Sequence, residues 1–302
     1  MNKILVVCLN PTIQITLKYN KLLIGEVNRT SVYYQDASGK GVNVARVLTQ
    51  LNTDATLLTH VGGARKDEFL ALAKGVNIIH CDSSSPIRTC ISILEDGKTT
   101  ELVQEPLAVE SSTEERINEL YEKILPEFSA VIFTGTKSPG YSKGLYPKWV
   151  KRAKEEGKIV LLDIKGDELL NCLEYKPDYI KTNLVEFVQT FNKDITLLEN
   201  AENLEVKDTV LQISRKLYEA GINTIITRGS YDTWYYDGAK IASSIVEKVK
   251  AVNTIGCGDA FSSGFISSII NGKSFQESLE KANEVAKMNA LSIKPGNIVL
   301  SE

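Results

Sequence analysis

The feature that most constrains this 302-residue chain is an alternation repeated along its length: a short apolar run, then a longer amphipathic stretch. The runs KILVVCL (3–9), TLLTHV (56–61), SAVIFT (129–134), KIVLLD (158–163) and INTIIT (222–227) have the near-continuous hydrophobicity of strands buried on both faces. Stretches 41–51, 113–125, 146–156, 208–220, 259–270 and 275–293 read as helices; the first carries Val44, Val47, Leu48 and Leu51 at helical spacing. Strands alternating with helices predict an α/β fold with a mostly parallel sheet covered on both faces and right-handed crossovers. Several runs end in Gly or a polar residue: Leu9-Asn10, Val61-Gly62, Thr134-Gly135, Leu162-Asp163 and Thr227-Arg228-Gly229. Ligands bind outside the carboxyl ends of strands in such sheets, so chemistry is expected there.

A second pattern is superimposed on the first. Residues 12–17 (TIQITL) alternate, with Ile13, Ile15 and Leu17 on one face. Residues 26–37 and 88–103 are also strand-like, the latter with Asp96-Gly97 as a hairpin signal. These pieces predict a small sheet with one polar face, separate from the main core. No repeat, low-complexity segment or linker divides the chain.

Composition narrows the function classes. A 43% hydrophobic fraction suffices for a sizeable core. Lys plus Arg number 35 against 38 Asp plus Glu, a net charge of −3, which gives no general pull toward nucleic acid or acidic membranes. Five cysteines without a C-x-x-C pair, and two histidines (His60 and His80), argue against a zinc site. The apolar run at 1–9 is too short to span a membrane and lacks signal-peptide features. The expectation is a soluble, reduced, cytoplasmic protein without nucleic-acid or membrane partners.

Three segments carry chemistry. In IGCGDAFSSGF (255–265), Gly256 and Gly258 flank Cys257, and Asp259 follows at a helix start. Glycines there let backbone N–H groups approach an anion, and the helix dipole favours negative charge. A carboxylate in such a cradle suits a base that takes a proton from an attacking hydroxyl, although Asp is also a favoured helix cap. In SGKGVNVARVL (38–48), Gly39, Lys40 and Gly41 precede a helix with Asn43 in its first turn. The segment fails the P-loop pattern but offers a cation and amides to a phosphate or polyol; taken alone, an ordinary loop with a solvated Lys is the reading it favours. In YIKTNLVEF (179–187), Asn183 and Glu186 share a helix face, suited either to a water-rich Mg²⁺ or to a cap. Arg88, opening an alternating strand, could fork onto a phosphate or be a surface charge.

In order, LNPTIQ, SGKGVNVARVL, HVGG, the Arg88 strand, FTGTKSPG, LLDIKGDEL, YIKTNLVEF, IITRGSYD and VNTIGCGDAF resemble the PfkB/ribokinase family of carbohydrate kinases over essentially the whole chain. The opening LNP and GKGVNVARVL are most similar to its branch acting on ketohexose phosphates, 1-phosphofructokinase and tagatose-6-phosphate kinase. The resemblance implies a ribokinase-like three-layer sandwich over 1–302 as a single domain, with a β lid from segments around 12–18, 28–37 and 88–104 that often pairs two subunits. It implies ATP and Mg²⁺ as cofactors and a sugar phosphate as substrate. The first expectation is fructose 1-phosphate converted to fructose 1,6-bisphosphate. Tagatose-6-phosphate kinase, another sugar or nucleoside kinase, and a non-catalytic sugar-phosphate sensor are the alternatives.

By the same resemblance, Asp259 is the catalytic base, and the backbone of Gly256, Cys257 and Gly258 forms the anion hole. Asn183 and Glu186 form the N-x-x-E motif tied to Mg²⁺ through water. Thr227, Arg228 and Gly229 lie in the nucleotide loop, and Asn289 walls the adenine. Gly39, Lys40 and Asn43 contact the sugar, while Arg88 and Lys137 contact its phosphate. The sequence departs from the family pattern at four places. Gln14 stands where an Asp usually binds sugar hydroxyls. Ser38 replaces a usual Gly. Asp163-Ile164-Lys165-Gly166 replaces D-[ST]-[ST]-G and brings a Lys near the phosphate region. Cys257 replaces a usual Ala and makes a thiol-reactive position there plausible.

Overall fold

A computed structural model describes residues 2–95, 98–192 and 204–298. In chain order its strands are β1 (Ile4–Cys8), β2 (Thr12–Lys18), β3 (Tyr33–Ser38), β4 (Ala55–Gly62), β5 (Asn77–Ser83), β6 (Arg88–Glu95), β7 (Lys98–Val103), β8 (Ala130–Thr134), β9 (Ile159–Asp163), β10 (Tyr179–Asn183), β11 (Asn223–Arg228), β12 (Tyr231–Tyr236) and β13 (Ile241–Ser244). The helices are α1 (Lys40–Gln50), α2 (Lys66–Leu72), α3 (Ser111–Ile124), α4 (Leu145–Glu155), α5 (Gly166–Leu170), α6 (Leu184–Phe191), α7 (Leu204–Glu219), α8 (Cys257–Ile270) and α9 (Phe275–Ala290).

Among the described residues the main sheet has nine strands in the order β13-β12-β11-β10-β9-β8-β1-β4-β5. The pairings from β11 through to β5 are parallel; β12 and β13 form an antiparallel edge. Pleating sends alternate residues of one strand to opposite faces. Leu5 and Val7 of β1 and Phe133 of β8 pack with Tyr121, Tyr146, Trp149, Phe187 and Val210 from α3, α4, α6 and α7. Ile4, Val6 and Cys8, with Ile132, pack with Val44, Phe69, Phe261 and Leu279 from α1, α2, α8 and α9. The result is the three-layer α/β arrangement expected from the alternation.

The second sheet runs β3-β2-β6-β7, with β2 and β6 parallel and the other pairs antiparallel. One expectation about it needs correcting. It is not separate from the core: Ile13, Ala37 and Ile87 belong to the same apolar cluster as Ile4 and Val6. Its polar face is buried, since Thr12, Gln14, Thr16 and Ser92 are all under 5% exposed. The register puts Ile15, Leu17, Ile91, Ile93, Tyr33 and Leu102 on the outward face.

Local chemistry explains the remaining differences. The stretch from 26 does not become strand until Tyr33, because Asn28 closes a loop: its side chain accepts from the Leu23 amide at 2.8 Å and donates to the Leu23 carbonyl at 2.7 Å. Strand β5 and the β12–β13 edge carry mixed polar and aromatic residues, so no continuous apolar run marks them. Strands β6 and β7 pair with Glu95 opposite Lys98, and the Asp96-Gly97 hairpin signal lies outside the described residues. Among the described residues no helix is long and apolar enough to cross a membrane.

Trp149 is fully buried, stacks on Tyr121 with ring centroids 4.4 Å apart, and donates its indole N–H to Asn118 Oδ1 at 3.0 Å. Trp149→Ala is expected to destabilise the fold by about 3–5 kcal/mol, read as a lower denaturation midpoint in urea.

Candidate active site

The carboxyl ends of β10 and β11, the starts of α1 and α8 and the buried face of the second sheet enclose one cleft of about 760 Å³. Gln14, Gly39, Lys40, Asn43 and Arg88 line it from one side, and Asn183, Glu186, Thr227, Gly229 and Gly256–Asp259 from the other. Gly39 adopts φ +105° and Gly256 φ +83°, backbone that a side chain rarely tolerates. A Cβ on Gly256 would meet the Gly296 amide nitrogen at 2.6 Å.

Helix α8 opens toward the cleft. Its first intrahelical bond is Ala260 N–H to Gly256 O at 2.8 Å, so the amides of Gly258 and Asp259 have no intrahelical acceptor. They suit an anion. The Cys257 amide is instead turned back to Thr254 O at 3.3 Å, which leaves the Gly258 and Asp259 amides at this helix start available to an anion. The Cys257 thiol is pushed up by burial and stays neutral.

Asp259 is 6% exposed and accepts from Asn43 Nδ2 at 2.8 Å; Asn43 Oδ1 in turn accepts from Ser38 Oγ at 3.1 Å. Burial raises its pKa to about 6, against the pull of Lys40, the Asn43 hydrogen bond and Lys181 and with the help of Asp163. Asp163, 1% exposed, receives Lys181 Nζ at 3.1 Å, Ser262 Oγ at 2.7 Å and Lys40 Nζ at 3.7 Å. Burial would raise its pKa; the two lysines and Ser262 outweigh that and hold it below the ordinary value. Burial works against the charge on Lys40, but Asp163, Glu186 and Asp259 prevail and keep it protonated. A Cβ on Gly258 would meet Lys181 Nζ at 2.8 Å, so this buried ammonium lies directly behind the anion cradle.

Asn183 and Glu186 form a capping box at the start of α6: Asn183 Oδ1 accepts from the Glu186 amide at 2.8 Å, and Glu186 Oε2 from the Asn183 amide at 3.3 Å. Glu186 Oε1 remains toward the cleft, 3.3 Å from Lys165 and 3.9 Å from Lys40. One carboxylate oxygen with a neighbouring amide fits a Mg²⁺ held mostly by water and phosphate oxygens. Among the described residues no group of three or more His, Cys, Asp or Glu could cage an ion.

Three expected site residues sit elsewhere. Asn289 is fully buried and does not line the cleft; it donates to Ile255 O at 2.9 Å and supports the 255–257 loop from behind. Arg228 is 3% exposed with its guanidinium 3.9 Å over the Trp234 ring, so Thr227 and Gly229 reach the cleft and Arg228 does not. Lys137 belongs to a neighbouring cavity, paired with Glu168 at 2.9 Å. Gln14 lines the cleft and donates to Ser92 Oγ at 2.8 Å. Sequence reading missed the pairing of Lys181 with Asp163. Its signal was a lysine in the middle of the otherwise buried YIKTN strand.

A family model described as pfkB family carbohydrate kinase matches residues 3–300. The tagatose-6-phosphate kinase of Staphylococcus epidermidis is 27% identical over 299 residues, which cover 98% of this chain and 94% of the relative. A possible 1-phosphofructokinase from Thermotoga maritima matches in structure with TM-score 0.85 at 17% identity, over 99% of this chain and 94% of the other. A ribokinase from Thermotoga maritima matches with TM-score 0.74 at 18% identity, over 98% and 95%. At those identities the solved structures show a shared, ribokinase-like fold.

The raised pKa of Asp259 has a consequence for stability. The folded state holds this proton more tightly than the unfolded chain, so stability is lost as pH rises from the unfolded pKa through about 6. Asp259→Asn removes that penalty. Its stability gain over wild type should be about 2 kcal/mol larger at pH 7.5 than at pH 4.5, a few degrees in melting temperature. A gap that does not change with pH would contradict a buried, ionised Asp259.

Proposed function

We propose that this chain, which belongs to the pfkB family of carbohydrate kinases, uses ATP to phosphorylate a hydroxyl of a ketohexose phosphate, fructose 1-phosphate giving fructose 1,6-bisphosphate. The observation that carries the reading is one cleft lined by both a buried carboxylate base, Asp259, and a cationic fork, Arg88. Arg88 Nε has no hydrogen-bond partner, and its other contact, Nη1 to Gln104 O at 3.4 Å, is long. A guanidinium so placed suits a second phosphate at the far end of the substrate. The identity to the Staphylococcus epidermidis enzyme favours tagatose 6-phosphate as the second reading. Each of these substrates carries a phosphate at one end of the ketohexose and a primary hydroxyl at the other.

The nucleotide occupies the arm of the cleft walled by Val246, Val249, Ala251, Ala286 and Ala290, an apolar slot suited to a planar base. The sugar sits between Gln14, Gly39, Asn43 and Asp259. Asp259 accepts the hydroxyl proton as the oxygen attacks the terminal phosphorus and the bond to the ADP oxygen breaks. Charge spreading onto the phosphoryl oxygens meets the Gly258 and Asp259 amides, with Lys181 and Lys40 behind them. Positioning and charge supply most of the catalysis in such a transfer. Glu186 and Asn183 would hold a Mg²⁺ through its waters, and the ion would supply positive charge against the phosphates. In this reading the second sheet closes over the sugar, and its outward apolar face, with Ile15, Leu17, Ile91 and Ile93, docks a second copy of the chain.

ADP release with Mg·ATP, measured on fructose 1-phosphate, tagatose 6-phosphate and fructose 6-phosphate, is expected to be strong on one of these ketohexose phosphates, fructose 1-phosphate first, and weak on free fructose, ribose and adenosine. Turnover only on unphosphorylated compounds would overturn the sugar-phosphate reading. ATP binding without turnover on any compound would point to a sensor. Asp259→Ala should lower kcat about a thousand-fold while ATP affinity changes little. Since the base must be ionised and its pKa in the free protein is raised to about 6, kcat/KM should fall roughly tenfold per pH unit below that point.

A further inference from the structure

A second cavity of about 470 Å³ adjoins the cleft, sharing Lys40, Arg88 and Glu186 with it. Lys137, Lys143 and Lys165 line only this cavity. Among them Lys137 is already committed. Its ammonium pairs with Glu168 Oε2 at 2.9 Å, donates to Ser142 O at 2.6 Å, lies 5.0 Å over the Tyr146 ring and is 5% exposed. Pulling a nearly buried ammonium from its carboxylate leaves both charges uncompensated, so Lys137 is a poor source of charge for a ligand.

Lys165 is in the opposite condition. It stands where the family pattern has Ser or Thr, and its side chain is 55% exposed. It has one ion pair, 3.3 Å to Glu186 Oε1, a carboxylate also served by the Asn183 amide and by Lys40. A pair this exposed contributes little and exchanges readily for a doubly charged phosphate. The Gly166 amide, next along the chain, is pinned to Thr190 Oγ1 at 2.9 Å, so the backbone that presents Lys165 is fixed.

We propose that Lys165, rather than Lys137, binds the phosphate that the sugar already carries, and so sets the preference for a phosphorylated over a free ketohexose. This rests on the sugar-phosphate reading above. On it, Lys137 is a structural latch that ties the 135–143 segment to α5 through Glu168.

The test compares Lys165→Met, Lys165→Arg and Lys137→Met with wild type, measuring KM and kcat for the best ketohexose phosphate, for free fructose and for ATP. Lys165→Met is expected to raise KM for the sugar phosphate about ten- to hundred-fold. KM for ATP and for free fructose should stay within about threefold, and Lys165→Arg should restore most of the loss. A rise in KM for ATP instead would assign Lys165 to the nucleotide phosphates and overturn the proposal, as would an unchanged KM for the sugar phosphate. So would a Lys137→Met variant that keeps its melting temperature but loses sugar-phosphate binding more than Lys165→Met. Wild-type turnover with an unaffected Lys165→Met removes this inference alone. Absence of wild-type turnover on every sugar phosphate removes the underlying reading with it.

Discussion

Asp163 is the charge on which the site is built. A carboxylate 1% exposed at the end of a parallel strand would neutralise itself unless it were paired, and here Lys181, Lys40 and Ser262 all turn toward it. That pairing fixes more than one side chain. Lys181 on β10 shares with Tyr179 the face against α8, so its ammonium ends behind the Gly258 loop. Ser262, one turn into α8, reaches the same Asp163 oxygen and also donates to Gly258 O at 3.1 Å. The adjacent carboxyl ends of β9 and β10 and the first turns of α1 and α8 are thereby locked to one another, and the cations are held beside the cleft.

The acceptor side depends on close approach of backbone. A Cβ on Gly41 would lie 2.4 Å from Cys8 Cβ, so only glycine lets the start of α1 settle against the end of β1. That contact carries Lys40 to Asp163 and Asn43 to Asp259. A Cβ on Gly296 would in turn meet Asn43 Cβ at 2.5 Å, so the C-terminal loop closes on the same residue from the other side. The hydrogen bond from Asn43 accounts for the orientation of the Asp259 carboxylate, and burial accounts for its raised pKa. A group that costs stability when ionised is the one the proposed chemistry needs ionised.

The main sheet was legible because strands buried on both faces must be continuously apolar, and β1, β4, β8, β9 and β11 are. Edge strands face that demand on fewer sides, which is why β5 and β13 left no clear run, and β12, next to the edge, mixes polar with aromatic residues. The glycines at 256 and 258 and Asp259 were legible as a unit because backbone freedom and a carboxylate at a helix start are local properties. Side-chain direction is not local. Nothing in KMNAL says that Asn289 turns inward to Ile255, nothing in ITRGS that Arg228 stacks on Trp234, and nothing near Lys137 that Glu168, far along the chain, captures it. The second sheet was read correctly as having one polar face, and a cleft can bury such residues when they pair, as Gln14 and Ser92 do.

Asn183 and Glu186 show why a capping motif and a functional motif need not compete. A carboxylate has two oxygens with separate work. Oε2 closes the capping box and fixes the side chain at the start of α6, while Oε1 points toward Lys165 and Lys40 and lines the cleft. The cap removes rotamer freedom that an ion or a phosphate would otherwise have to freeze out on binding. The same logic covers Cys257. In the proposed site the anion would be met by backbone amides of the neighbouring residues, and the neutral thiol at 257 takes a hydrogen bond from Asn289 Nδ2 at 3.4 Å. On the proposed reaction, a position that contributes only its backbone amide can vary in side chain, whereas Asp259, which would contribute its carboxylate, cannot.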